Sequence, residues 1–173
     1  MGIEFNHLYI TLDTDTLESI AQSEFINQLF CTVSRDTVET DTESWSGTYL
    51  RGKHTYLELF PPGGAEGLQE GFSGIGFNTQ QDGQLDSVAE KLRGLSAKET
   101  FSDLRVRQTE SGKIPWFHYL TLNPSEREAF AAWLMEFHQD YLEYKNIKLT
   151  PGNCFNRAAY LKTLETSETS LFE

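Results

Sequence analysis

The residues of this chain with the clearest chemical potential are a histidine and a glutamate that lie far apart in the sequence. His7 and Glu58 are each the one ionisable residue on an aromatic strand face. An unpaired carboxylate in an ordinary core costs several kcal/mol, so such a face is typical of the wall of a ligand cleft. We therefore predict a small-molecule site that includes both residues and the aromatic residues on the same faces, which are Phe5 and Tyr9 beside His7, and Tyr56 and Phe60 beside Glu58.

Glu58 requires a partner, and the sequence leaves four open: a metal ion, a protonated His7, an arginine, or solvent in an open groove. Imidazole and carboxylate together suit zinc, iron, manganese or nickel, although two ligands alone hold such ions weakly. His118 could complete a set of two histidines and one carboxylate, which suits iron or manganese. It shares its strand face with Trp116 and two leucines, so a hydrogen-bonded core or rim histidine is the alternative. In a metal-assisted reaction, Glu58 is the candidate for catalytic proton transfer.

The net charge limits the class of partner. The 173 residues include 26 acidic and 14 basic side chains, and the formal net charge of −12 repels phosphate backbones and anionic lipid surfaces. We therefore expect neither a nucleic-acid nor a membrane partner, and no apolar run approaches the roughly 20 residues that cross a bilayer. An anionic small molecule would need local arginines, and Arg51, Arg105 and Arg107 lie in strand-like segments. Arg51 is included among the predicted ligand contacts.

The cysteines and glycines carry weaker signals. Cys31 and Cys154 are far apart and the N-terminus lacks a signal-peptide pattern, so we expect two ordinary thiols in a reducing cytoplasm. Neither cysteine lies beside a histidine in a nucleophile motif. The glycines at positions 71, 74 and 76 have the wrong order for a dinucleotide fingerprint, and close backbone packing explains them better.

The elements that must position His7 and Glu58 are visible as an internal repeat. FNHLYI followed by LESIA at residues 17–21 is similar to FSGIGF followed by LDSVA at residues 85–89, about 67 residues later. A strand and a helix duplicated at this distance predict two modules around a shared ligand cleft. The predicted divisions of this single domain are module one at 1–62, a flexible linker at 63–70 and module two at 71–123.

Alternating and helical patterns complete the two modules. In module one, strands are predicted at 3–12 and 31–38, with a hairpin over 45–60. In module two, we predict a strand at 72–79, a helix at 85–95, and strands at 101–109 and 116–122. A fourth strand is not evident there. Instead, aromatic residues at helical spacing predict a long helix at about 125–144, within a helical extension over 124–164 that ends in a frayed tail at 165–173.

The order of these motifs resembles one module of the vicinal oxygen chelate superfamily, which includes glyoxalases and bleomycin-resistance proteins. FNHLYI provides a first-strand histidine and TYLELF a fourth-strand glutamate. The resemblance covers residues 3 to about 122 and implies a curved sheet around a cleft, with His7 and Glu58 as metal ligands. Module two has Gly74 at the position of His7, so a four-ligand site is not supported. The combination of FNHLY, WSGTY, TYLELF and PWFH is more specifically similar to an uncharacterised glyoxalase-like family.

The sequence therefore predicts an α+β protein of two βαβββ modules in a curved mixed sheet, with a degenerate second module and an added long C-terminal helix. Three functions stay open. The first is a protein that binds a small molecule in the aromatic cleft without a complete catalytic metal site. The second is a metal-dependent lyase, isomerase or dioxygenase of the chelate type, with zinc, iron, manganese or nickel as cofactor. The third is a homodimeric interaction module joined through the long aromatic helix.

Overall fold

The computed structural model describes residues 2–95, 99–122, 129–164 and 171–172, which contain eight strands and four α-helices. The strands are β1 (Ile3–Thr11), β2 (Thr32–Glu39), β3 (Ser44–Arg51), β4 (Tyr56–Phe60), β5 (Ser73–Thr79), β6 (Thr100–Thr109), β7 (Gly112–Leu122) and β8 (Phe130–Phe137). The helices are α1 (Thr14–Gln22), α2 (Gln84–Leu95), α3 (Gln139–Tyr144) and α4 (Arg157–Lys162), with a π-helix at Ile26–Phe30 after α1. Within these ranges, no helix has the length and apolarity needed to cross a membrane.

All eight strands belong to one curled mixed sheet, which consists of two groups of four strands with the same connectivity. The strand order is β2-β3-β4-β1-β5-β8-β7-β6. In each group the first strand pairs in parallel with the fourth, β1 with β4 and β5 with β8. The two first strands, β1 and β5, pair antiparallel at the centre. This topology confirms the predicted α+β fold of two βαβββ modules and is consistent with the vicinal oxygen chelate fold.

The long helix predicted at 125–144 is wrong over residues 130–137. Phe130–Phe137 form β8, the fourth strand of module two, and only Gln139–Tyr144 are helical. β8 lies between β5 and β7, with Trp133 packed toward the C-terminal helices and Leu134 against α2. A strand with two buried faces is apolar at successive positions, so its sequence also fits helical spacing. Module two is therefore complete rather than degenerate, and the predicted dimer contact through a long helix loses its basis.

The apolar core is divided into three clusters. One lies beneath α1 around Leu17 and Leu59, and a second lies beneath α2 around Leu85 and Leu120. The largest joins β7 and β8 to α3 and α4, and its Tyr141 is among the most deeply buried side chains of the described residues. The C-terminal helices therefore pack onto the sheet and close one side of its hollow.

The predicted frayed tail is partly described. The backbone amides of Leu171 and Phe172 donate hydrogen bonds to the carbonyl oxygens of Leu29 and Phe30, at 3.1 and 2.8 Å. The Phe172 and Phe30 rings also stack, with centroids 5.3 Å apart. Fraying is therefore wrong for these two residues, because backbone bonds and ring stacking hold them to module one. The rest of the tail, 165–170 and 173, and the start of the predicted helix at 125–128 lie outside the described residues.

Candidate functional site

The hollow of the sheet contains a cavity of about 590 Å³. Strands of both modules line it, and α3 and α4 contribute residues to one side. Its wall is largely aromatic and includes all three tryptophans of the chain, Trp45, Trp116 and Trp133. The predicted linker at 63–70 also contributes residues to the lining. A molecule bound here would be in contact with both modules.

His7 and Glu58 meet in this cavity. They come together because β1 and β4 are neighbouring parallel strands and both side chains lie on the cavity face. His7 Nε2 and Glu58 Oε2 are 3.5 Å apart, and the two side chains are 6% and 14% exposed. The His7 ring stacks on Tyr56 with centroids 4.6 Å apart, and it meets the Trp133 ring at 66°. An imidazole and a carboxylate are therefore held together between aromatic rings.

Four of the other predicted ligand contacts line the cavity, namely Tyr9, Arg51, Tyr56 and Phe60. Phe5 does not. The pairing of β1 with β5 shifts by one residue between Phe5 and His7, which places a β-bulge at Asn6. Because a bulge breaks the alternation of side chains, Phe5 and His7 do not share a face. Phe5 is 39% exposed and packs edge-on against Phe77.

His118 does not join the pair in the cavity. Its neighbours Phe117 and Tyr119 line the cavity, and alternation along β7 turns His118 toward the opposite face. There it is exposed, with its ring 5.8 Å from that of His138. The predicted set of two histidines and one carboxylate is therefore not formed. Across the described ranges, no three His, Cys, Asp or Glu side chains are grouped in a way that could hold a metal ion.

A buried polar network holds His7 in place. His7 Nδ1 lies 2.7 Å from Asn6 Oδ1, and the Asn6 amide nitrogen donates to Asn78 Oδ1 at 2.9 Å. Arg157 of α4 donates to the same Asn78 oxygen at 3.1 Å and to the backbone carbonyl of Asn6 at 2.9 Å. Two further bonds from Arg157 reach the carbonyl oxygen of His54. Both asparagines are fully buried, so this network fixes the strand positions next to the cavity.

The network also determines which nitrogen of His7 carries the ring proton. Arg157 can only donate, so Asn78 Oδ1 accepts and the Asn6 amide nitrogen donates to it. Asn6 Oδ1 is then left to accept the Nδ1 proton of His7. A neutral His7 therefore presents the lone pair of Nε2 to Glu58, which is also an acceptor. A proton between them, or a donor or cation from a bound molecule, would satisfy both groups.

Sequence reasoning missed Asn6, Asn78 and Arg157. One signal was available, since asparagine is depleted in strands and both asparagines lie inside predicted strands. Arg157 lies 79 residues from Asn78 in a segment without a motif. Its contact with the network therefore arises only from the tertiary fold.

Module two fills the space where a second pair of metal ligands would lie. Gly74 on β5 corresponds to His7 in the repeat, so Gly76 corresponds to Tyr9. Tyr9 pairs with Glu58 and Gly76 pairs in the same way with Trp133, so Trp133 takes the position of the glutamate. A Cβ on Gly76 would lie 2.8 Å from Trp133 Cζ2, so the indole occupies the space over this glycine. Neither glycine nor tryptophan provides a metal ligand.

Buried tyrosines add hydrogen-bonding groups to the cavity wall. Burial raises the pKa of Tyr49, Tyr56 and Tyr160, and the charge of Glu58 raises the pKa of each hydroxyl further. All three side chains line the cavity. They are therefore neutral at physiological pH and available as donors or acceptors to a bound molecule.

The fold and the site define an α+β protein with an aromatic cavity between two βαβββ modules, an architecture consistent with the vicinal oxygen chelate fold. The chain belongs to the family of unknown function DUF5829, whose model matches residues 5–172. No curated protein matches the sequence.

The chain is also similar to several solved structures. Methylmalonyl-CoA epimerase from Mycobacterium tuberculosis is 13% identical, over 78% of this chain and 88% of that chain, with a TM-score of 0.42. A mutant of 4-hydroxymandelate synthase from Streptomyces coelicolor is 12% identical, over 94% of this chain and 54% of that chain, with a TM-score of 0.48. 2,2',3-Trihydroxybiphenyl 1,2-dioxygenase from Sphingomonas wittichii is 15% identical, over 80% of this chain and 42% of that chain, with a TM-score of 0.40.

Proposed function

We propose that this protein binds a small organic molecule in the aromatic cavity, and that it does so without a four-ligand metal centre. The observation that carries the proposal is the meeting of His7 and Glu58 inside an aromatic cavity. Small-molecule sites are concave, mostly apolar and furnished with a few well-placed polar groups, and a volume of about 590 Å³ lies within their usual range. The aromatic wall would hold the body of the ligand, and His7 and Glu58 would contact its polar group.

The residues present do not fit the metal centre that the resemblance to the chelate superfamily implies. His7 and Glu58 provide two ligands, whereas a catalytic zinc site has three protein ligands. Trp133 and Gly74 stand where module two would supply the others. The proposal therefore contains no step through a metal ion.

A second candidate function is a proton transfer on the bound molecule. The observation that favours it is the fixed orientation of His7, whose Nδ1 is held by Asn6 while Nε2 faces Glu58. His7 Nε2 would take a proton from the ligand, and the Glu58 carboxylate beside it would stabilise the imidazolium that forms. For such an enzyme, Glu58→Gln would abolish turnover while binding persisted.

Metal titration tests the metal-free part of the proposal. Occupancy at one hundred times Kd would stabilise the protein by about 2.7 kcal/mol. This corresponds to a rise in melting temperature of about 5 to 10 °C for a chain of this size. We expect Mn, Fe, Ni and Zn salts to shift the native protein no more than the His7→Gln and Glu58→Gln variants. A stoichiometric metal in protein purified without chelator, together with a shift that both variants lose, would contradict the proposal.

Tryptophan fluorescence tests binding directly, because every tryptophan of the chain lines the cavity. The neutral dye N-phenyl-1-naphthylamine should quench this fluorescence on binding. Ala131 lines the cavity, and the ring of Ala131→Phe would occupy part of its volume. We expect this variant to bind the dye at least about tenfold more weakly, a loss of about 1.4 kcal/mol.

Ala132→Phe is the matched control for this experiment. Ala132 is the next residue of β8, is exposed, and lies on the opposite face of the strand. The Ala132→Phe variant should bind the dye with the affinity of the native protein. Equal binding by the Ala131→Phe variant would place the dye outside the cavity and overturn the proposed site.

A further inference from the structure

The cavity contains a group of cations that the proposed function leaves unused. Four of the 14 basic residues line it, namely Arg51, Arg105, Arg107 and Lys145, in a chain whose net charge is −12. Arg105 is neutralised by Glu43, at 3.0 Å. Arg51 donates to the carbonyl oxygen of Leu164 at 2.7 Å. Arg107 and Lys145 make no ion pair within the described residues.

Arg107 and Lys145 lie close enough to influence each other. Burial lowers the pKa of Lys145, and the positive charge of Arg107 lowers it further. The Arg107 guanidinium lies over the Trp116 ring, 4.7 Å from its centroid, which fixes it against the cavity wall. Two neighbouring cations without a bonded carboxylate repel each other, and an anion between them would remove that repulsion.

Two buried polar groups in the same cavity also lack partners. The Tyr49 hydroxyl and the Trp116 indole nitrogen form no hydrogen bond in the described part of the chain, and these residues are only 6% and 8% exposed. Trp45 lies near Tyr49 and Tyr141 lies near Trp116, but neither pair reaches hydrogen-bond geometry. An unsatisfied buried donor costs about as much as a lost hydrogen bond, so both groups favour an acceptor from a bound molecule.

We propose that the ligand carries an oxyanion, a carboxylate, sulfonate or phosphate, which Arg107 and Lys145 bind, with Tyr49 and Trp116 as further donors. This inference rests on the proposed function, because it names the class of molecule that the aromatic cavity takes. Arginine and lysine supply charge-assisted hydrogen bonds, which are about twice as strong as neutral ones. The ligand is therefore an aromatic or otherwise apolar molecule with one acidic group.

Asp36 is the lining carboxylate whose charge acts on Lys145, so it could compete for these cations. It lines the cavity and its charge raises the pKa of Lys145, although burial of the amine is the larger effect and lowers that pKa. Asp36 is exposed, and its carboxylate accepts from the backbone amide of Thr37 at 2.9 Å. It forms no ion pair with Lys145 or Arg107 in the described ranges. Solvent screens an exposed carboxylate, so the two cations keep their affinity for an anion.

Two dyes that differ by one anionic group test this inference. 1-Anilinonaphthalene-8-sulfonate has the ring system of N-phenyl-1-naphthylamine with an added sulfonate. If Arg107 and Lys145 bind an oxyanion, the sulfonated dye should bind the native protein at least about tenfold more tightly than the neutral dye. Tryptophan quenching measures both affinities, and competition by the neutral dye shows that the two share the cavity.

Arg107→Met and Lys145→Met should each weaken binding of the sulfonated dye by about tenfold and leave binding of the neutral dye within about threefold. Arg107→Lys keeps the charge and should keep most of the affinity. Lys148→Met is the control, because Lys148 is exposed, lies three residues from Lys145 and is not part of the cavity lining. Thermal unfolding of each variant verifies that it is folded. The charge-conserving Arg107→Lys and the charge-removing Lys145→Met provide two independent tests of the oxyanion site.

The outcomes separate the two proposals. If both dyes compete for the cavity but bind equally, and neither methionine variant changes the affinities, the oxyanion site is wrong while the proposed function survives. If neither dye binds, or if Ala131→Phe changes neither affinity, the proposed function fails and the oxyanion site fails with it. If both methionine variants lose the preference for the sulfonated dye and still bind the neutral dye, the proposed function and the oxyanion site are both supported.

Discussion

Replacing Glu136 with leucine is expected to lower the free energy of unfolding by about 3 to 5 kcal/mol, because it leaves several donors unsatisfied and each buried unsatisfied donor costs about 1 to 3 kcal/mol. The carboxylate of Glu136 accepts hydrogen bonds from the backbone amides of Gly83, Gln84 and Leu85, at 2.9 to 3.0 Å. It also accepts from the hydroxyl of Thr79 at 2.9 Å. These amides lie at the start of α2, where the first backbone donors have no partner within the helix. Leucine would leave all four donors without their acceptor.

Urea denaturation of the variants measures this effect. Glu136→Gln keeps one acceptor oxygen and should cost less than Glu136→Leu, because part of the network survives. Glu143→Leu is the control: Glu143 is exposed on α3 and accepts one surface bond from Gln139, at 2.8 Å. It should change the free energy of unfolding by no more than about 0.5 kcal/mol. If the free energy of unfolding of Glu136→Leu is within about 1 kcal/mol of the native value, this account of how α2 begins is contradicted.

Replacing Arg157 with leucine is expected to cost about 2 to 4 kcal/mol and to release the orientation of His7, because hydrogen bonds to charged groups are worth about 1.5 to 3 kcal/mol each. Arg157 donates to Asn78, to the carbonyl oxygen of Asn6 and twice to the carbonyl oxygen of His54. Without it, the Asn78 amide is held, apart from its bond with Asn6, by the bond from its nitrogen to the carbonyl oxygen of Thr79, at 3.1 Å, so the orientation of Asn6 and the acceptor of His7 Nδ1 are less strongly defined. The effect on the cavity is therefore indirect, through the network.

Two measurements check this prediction. Urea denaturation gives the stability, and nitrogen chemical shifts of the histidine rings give the tautomer of His7, which should be a single form in the native protein and a mixture in Arg157→Leu. Arg93→Leu is the control, since Arg93 is exposed and donates one bond to Thr100 at 3.0 Å. An unchanged His7 tautomer in Arg157→Leu would show that the network does not position the ring.

Much of module one could be predicted from its sequence because its strands carry one regular signal. Alternation along residues 3–12 and 45–60, and the repeat of FNHLYI in FSGIGF, placed β1, β4 and β5 correctly. His7 and Glu58 share the cavity for the same reason, since alternation puts both on the inner face of neighbouring strands. Where the backbone is regular, periodicity alone positions a side chain.

The errors arose where the backbone is irregular or where both faces of an element are buried. A single inserted residue at Asn6 removed Phe5 from the cavity face, and no feature of an alternating sequence indicates such a bulge. β8 has apolar neighbours on both sides, so its aromatic spacing fitted a helix equally well. The contribution of Trp133 and Lys145 to the cavity follows from the topology, which brings distant segments together after the strands have paired.

The central claim is that the cavity between the modules, with His7 and Glu58 in its wall, binds a small organic molecule. A crystal structure of the protein with N-phenyl-1-naphthylamine tests it most directly. The account predicts density for the naphthalene ring against Tyr56 and Trp133, within contact distance of Glu58. Dye bound elsewhere on the protein with this cavity vacant, or a metal ion held between His7 and Glu58 after Trp133 has moved aside, would contradict it.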